Sequence, residues 1–157
     1  MPNTMRWRYG DTNPVTLPVD AETVVEIGDL VYLEGGLAHP AGAQDDLGTE
    51  AENQEALHDA FVGVAMQHSP AGSAGTVRIA TSGVFELASP SAAYGLGQLV
   101  GADENGGGTA VLNQTVAAVA TPNLAVGRVA RQELAATTRV LVEIVSTVLR
   151  GGPQAAA

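Results

Sequence analysis

The 157-residue chain contains neither cysteine nor lysine, and only 4% of it is aromatic. Without cysteine there is no disulfide framework, no thiol redox chemistry and no thiolate metal site, and the folding compartment is left open. Without lysine, seventeen acids are opposed by seven arginines alone, and between Asp11 and Asp59 twelve acids run without one base. That balance argues against wrapping nucleic acid, which is bound largely through neutralised phosphates. Long apolar runs are missing too. No stretch reaches the ~18 apolar residues of a membrane span, and Met-Pro-Asn-Thr at the start leads into no signal-peptide core. The chain is expected to be soluble, unexported by the general route and without membrane contact. Its acidic surface keeps it in solution, and a calcium loop is ruled out because no Asp-x-Asp-x-Asp-Gly pattern with a later Glu occurs.

The length suits one domain, able to bury roughly 70% of the surface its unfolded form exposes. Valine, isoleucine and threonine dominate the ordered stretches, and glycine and proline punctuate them at short intervals, which predicts an all-β fold. Strands are expected over Val24–Leu33, Phe61–Met66, Val77–Phe85, Leu124–Ala130 and Arg139–Val148, with weaker ones at Leu96–Val100 and Thr109–Val119. Thr49 followed three residues later by Glu52 forms a capping box, so "EAENQEALHDA" should be one short helix, with Ala56 and Leu57 available to pack inward. It lies in an acidic insert, 38–59, longer than a hairpin needs and expected to be a surface excursion.

The chain repeats itself. "IGDLVYL", "FVGVAMQ" and "TVRIATSG" return in order as "LGQLVGA", "AVGRVAR" and "TRVLVEIVST". Gly28 matches Gly97, Leu30-Val31 matches Leu99-Val100, Gly63 matches Gly127, and Val77/Ile79 match Val140/Val142 with a one-residue slip. Each copy supplies a turn glycine, a strand, a loop and a hairpin. Two such halves pairing edge to edge would hide their unpaired backbone, giving a small closed or nearly closed β-barrel over 19–150.

The ends differ from the middle. Arg6, Trp7, Arg8 and Tyr9 concentrate two arginines, the single tryptophan and one of three tyrosines ahead of the first strand. Trp, Tyr and Arg often dominate interfaces, so residues 1–18 are expected to form an extended N-terminal arm, mobile in the free protein and ordered on another subunit. The competing reading has the arm folded back, with Trp7 covering an open end of its own barrel. Pro14 and Pro18 keep the stretch extended. At the other end, 151–157 ("GGPQAAA") offers nothing to pack and is expected to be disordered.

Enzyme signatures fail on context. "GLGQLVG", Gly95–Gly101, imitates a dinucleotide-binding run but has no strand before it and no helix after it. His39, His58 and His68 share no metal-ligand spacing and read as solvent-facing. Ser82-Gly83 reads as a hairpin turn rather than a nucleophile, and nothing partners Asp45 and Asp46 as an acid/base pair. A trimeric all-β nucleotide hydrolase of the dUTPase kind has a similar size, but its aspartate motif and glycine-rich tail are not visible. The chain thus reads as a non-enzyme without cofactor, metal or small-molecule substrate.

The order "RYGD", "IGDLVYLEGG", "AFVGVAMQ", "VRIATSGVFEL", "LGQLVGADENG", "VGRVA", "VLVEIVSTV" resembles a family of tailed-phage capsid cement proteins, also called head decoration proteins. The resemblance spans about Arg8 to Val148 and implies a β-barrel of the tulip type. It further implies homotrimers on the outer surface of the capsid, made in the host cytoplasm, with the arm reaching across to the major capsid protein. By position, Met1 to Pro18 would be that arm, with Arg6, Trp7, Arg8 and Tyr9 at the capsid or subunit interface. The rival readings are a β-barrel module binding a sugar or peptide, which should show an exposed aromatic platform, and an unrecognised trimeric all-β enzyme.

Overall fold

In the computed structural model, which describes residues 3–155, one strand order is used twice. The first unit consists of β2 (Val15–Pro18), β3 (Leu30–Glu34), β4 (Leu37–Pro40), β5 (Phe61–Ala65) and β6 (Thr76–Ala80), side by side as β2-β6-β5-β3-β4. The second consists of β7 (Ser82–Tyr94), β8 (Leu99–Glu104), β9 (Val111–Ala118), β10 (Gly127–Val129) and β11 (Glu133–Val145), side by side as β7-β11-β10-β8-β9. Counted along the chain, both run first, fifth, fourth, second, third. A short strand, β1 (Trp7–Tyr9), is added outside β7.

The internal repeat is therefore real, and its matched glycines do matched work. Gly28 and Gly97 both take positive φ, +101° and +83°, in the turn that opens the second strand of each unit. Gly63 and Gly127 lie on the fourth strands, where a Cβ would collide with the carbonyl of Ala80 or Glu143 on the fifth.

The fold is all-β with a small closed barrel, but the halves do not pair edge to edge. Each unit has five strands of its own, two of which in the first unit, β2 and β4, the sequence conceals, and five strands suffice for a sheet to curl on itself. The second unit closes where Ala88 on β7 pairs in parallel with Thr115 on β9. The first stays open: Cα atoms of β2 and β4 come within 8 Å but share no ladder.

Strand alternation divides the first unit between two cores. Val31, Val62, Val77 and Ile79 fill its interior with Val19 and Val25. Leu30, Tyr32, Phe61 and Val64 point the other way and join Leu57, Phe85, Leu87, Val100, Val126 and Val142 in the larger core that binds the units together. Each fully buried Val, Leu or Phe contributes about 1.5–3 kcal/mol.

Several boundaries move for physical reasons. The run Val24–Leu33 becomes strand only at Leu30, because Gly28 turns the chain and the Asp29 carboxylate holds the Glu26 N–H at 2.9 Å. The run Val77–Phe85 is split at Thr81, where the chain crosses from the first unit to the second. Ser82-Gly83 is consequently strand rather than hairpin turn, with Ser82 paired to Val145. The last strand runs earlier than expected and ends at Val145, after which Ser146 caps α2 (Thr147–Arg150).

The insert 38–59 is not a surface excursion. Its Ala38, Ala41 and Leu57 are fully buried. Helix α1 (Glu50–Ala60) starts at the expected cap, with Thr49 Oγ1 accepting from the Glu52 N–H at 3.2 Å. It is tied to β8 by Gln54 Nε2 donating to the Ala102 carbonyl at 3.0 Å. Leu47 is exposed. His58, expected in solvent, is buried with Nδ1 2.7 Å from the Ala125 carbonyl, and His39 stacks on Tyr32 with ring centroids 5.3 Å apart. His68 is exposed, as its sequence context suggested. The tail expected to be disordered packs as far as Gly152 and Pro153, both buried. Ala156 and Ala157 lie outside the described residues, as do Met1 and Pro2 of the expected arm.

Candidate functional site

The aromatic-arginine cluster at residues 6–9 is extended, and it is built into the body of the chain. Trp7 lies opposite Phe85 and Tyr9 opposite Val84 on β7, while residues 15–18 pair with β6. The register slips by one residue between Trp7 and Tyr9, which turns successive side chains to different surroundings. Trp7, 40% exposed, shares the inward side of Phe85, and its Nε1 donates to the Gly10 carbonyl at 2.9 Å. Tyr9, opposite the buried Val84, is 52% exposed.

Arg6 turns away from that surface. Its Nε and Nη2 donate to Gln114 Oε1 at 3.0 and 2.8 Å. Gln114 Nε2 in turn donates to Asp29 Oδ1 at 2.8 Å and to the Ile27 carbonyl at 3.3 Å. One bracket thus joins the N-terminal segment, the Gly28–Asp29 turn of the first unit and β9 of the second. Burial and the nearby Arg139 charge both lower the Arg6 pKa. Burial raises that of Asp29, against the opposing pull of the Gln114 hydrogen bond. Beside the bracket opens a cleft of about 350 Å³, lined by Arg6, Glu26, Asp29, Asn113, Gln114 and Thr115.

Arg8 does two things. Its Nη2 meets Glu86 Oε1 at 3.1 Å, and Arg139 Nη1 meets the same oxygen at 3.4 Å. Burial pushes the Glu86 carboxyl up, but the two guanidinium groups outweigh it and hold the group below the ordinary Glu range. Arg8 Nη1 also donates to the carbonyls of Met5 and Trp7 at 3.4 and 3.2 Å. Because the Glu86 N–H donates to the Arg6 carbonyl, the alternate carbonyls of Met5 and Trp7 face away from β7. Arg8 therefore covers the free edge of β1 with a cation, a device that discourages indiscriminate strand addition.

Sequence reasoning singled out Arg6, Trp7, Arg8 and Tyr9 but missed Asp29, Glu86, Gln114 and Arg139. Those four stand far from the cluster along the chain, in strand or turn contexts that look ordinary. Among the described residues no group of three or more His, Asp or Glu side chains could hold a metal ion. No described helix is long and apolar enough to cross a membrane.

The model of a family described as phage cement protein matches residues 10–144. No curated protein matches the sequence. Among solved structures, the head fiber gp8.5 N base of bacteriophage phi29 is similar at 15% identity, covering 83% of this chain and 93% of that one with a TM-score of 0.46.

Proposed function

The chain belongs to the phage cement protein family, the structural proteins of phage capsids, and on that premise we propose that it binds the outer surface of the head and stabilises the expanded shell. The partner in this reading is the major capsid protein, and the protein acts as a homotrimer seated where shell subunits meet. The observation that carries it is the family match over residues 10–144.

The contact surface in this proposal is the N-terminal strand and its neighbours, with Tyr9, Arg8 and the exposed part of Trp7 meeting the shell. Exposed aromatics backed by arginine are the side chains that most often dominate interface energy. The strand is held by its own sheet, so little ordering entropy is lost on docking. Arg6 supports the surface from behind through the Gln114–Asp29 bracket.

A cement protein works by mass action. Bound to the expanded shell and not to its precursor, it favours the expanded state by about 2.7 kcal/mol per site at a concentration one hundred times its Kd. The test mixes purified protein with unexpanded and expanded heads and follows co-sedimentation and shell melting. Retention on expanded heads with a raised shell melting temperature is expected. Equal binding to both head states, or bound protein that leaves shell melting unchanged, would overturn the proposal.

A further inference from the structure

Charge is divided unequally between the two units. Residues 15–80, the first unit, carry eleven acids and one arginine, whereas residues 1–14 and 81–157 together carry six acids and six arginines. The net charge of −10 therefore lies with the first unit. Two copies of such a molecule repel one another on that side, which favours approach through the second unit.

The second unit offers an unusual feature for such an approach. From Ser89 to Tyr94, β7 has β11 as its single ladder partner, and from Glu133 to Arg139, β11 has β7 alone. The result is a two-stranded ribbon, with Glu133 opposite Tyr94 and Thr137 opposite Ala92. Leu134 on this ribbon is 84% exposed, the most exposed large hydrophobic residue of those described, and Leu96, just past Tyr94, is 69% exposed. Ala93, Ala135 and Ala136 are exposed beside them. No charged residue occurs between Leu134 and Thr138 or between Ser89 and Leu96.

Between Glu133 and Arg139 this edge carries no charge, and an uncharged stretch with Leu134 exposed on it and Leu96 exposed in the adjoining turn is a liability in a free monomer, since proteins ordinarily blunt such edges with charge, as Arg8 does at β1. We propose that this ribbon is the surface through which copies of the chain assemble. Three ribbons meet around the three-fold axis, with Leu134 and Leu96 of each copy packed against those of its neighbours. This rests on the homotrimer reading given above. The acidic first units then point away from the axis, where their mutual repulsion is smallest.

The experiment measures oligomeric state by light scattering and sedimentation for the full chain, for Leu134→Asp, and for Leu47→Asp as a matched control on an exposed leucine of the acidic unit. The wild type and Leu47→Asp should be trimers. Leu134→Asp should weaken assembly by roughly a hundredfold or more, because a carboxylate is forced into an apolar contact. Its monomer should keep the circular-dichroism spectrum of the wild type and unfold cooperatively, since Leu134 is 84% exposed in its own chain. A Leu134→Asp protein that stays trimeric overturns the inference, including the case in which it loses shell binding and the ribbon faces the shell instead. Dissociation of both variants alike also overturns it, as a general charge effect. A wild type that is monomeric both free and on heads removes the homotrimer reading itself.

Discussion

Arg6 places two nitrogens, at 3.0 and 2.8 Å, on one side-chain oxygen of Gln114, a residue 108 positions away in sequence. The amide is the hinge of the bracket because it can accept from the cation and donate to the Asp29 carboxylate at once. Neither a carboxylate nor an alkyl group does both. Gln114→Leu should leave a half-buried guanidinium and a buried carboxylate without this partner, at a cost of about 1–3 kcal/mol. Thermal or urea unfolding of the variant measures it. An unchanged midpoint would mean that the bracket adds nothing to the fold.

Asp29 gives the same bracket a pH dependence. Burial raises its pKa in the folded state, so between the unfolded value, about 3.9, and the higher folded one, the native state holds more proton than the unfolded state. In that window the Asp29 contribution falls as pH rises, and above the folded pKa it stays at its lower level. Asp29→Asn removes the titration. Plotted against pH, the stability of the variant minus that of the wild type should climb from the ordinary Asp range upward and then level off. A flat difference would show that Asp29 titrates normally.

The repeated close approaches at Gly63 and Gly127 make a paired prediction. At Gly63 the backbone of β6 lies where a Cβ would stand, and at Gly127 the backbone of β11 does. Neither obstacle is a side chain that can swing aside. Gly63→Ala and Gly127→Ala should each force strands apart and cost about 3 kcal/mol, the upper end for overpacked sites. Gly106→Ala, where nothing stands within 4 Å, is the control and should melt like the wild type. Tolerance at either strand glycine would mean that the matching of the two units is looser than their shared topology indicates.

These pairs also show why the repeat was legible in the sequence while the closure was not. Gly28, Gly63 and their counterparts satisfy backbone requirements that few other residues meet, so their order survives as words in the chain. Strands β2 and β4 are four residues each and contain Pro18 and Pro40, so alternation has no length over which to show itself. Without them the first copy looked like half a barrel. His58 was hidden differently: the surrounding glutamates and Asp59 mark its side of the helix as solvated, yet it packs against the Ala125 carbonyl beside Leu57, whose inward position the helix pattern did show. At the candidate site, the cluster of residues 6–9 stood out by composition. Its partners Asp29, Glu86, Gln114 and Arg139 were brought to it by topology alone.

Within that cluster, Trp7 and Tyr9 separate support of the fold from contact with the shell. Trp7 faces its own sheet across from Phe85 and is more than half covered, so Trp7→Ala should lower the melt of the isolated protein as well as weaken binding. Tyr9 is 52% exposed. Tyr9→Ala should leave the melt within about 0.5 kcal/mol of wild type, as for most surface substitutions. If its ring fills a pocket on the shell, truncation should cost about 2 kcal/mol of binding, a loss of roughly thirtyfold. Co-sedimentation with expanded heads and differential scanning of the free protein give the two numbers. Shell binding that survives Tyr9→Ala, and falls with Trp7→Ala only as far as the lost stability accounts for, would make residues 6–9 a closing strand for their own barrel and move the shell contact elsewhere.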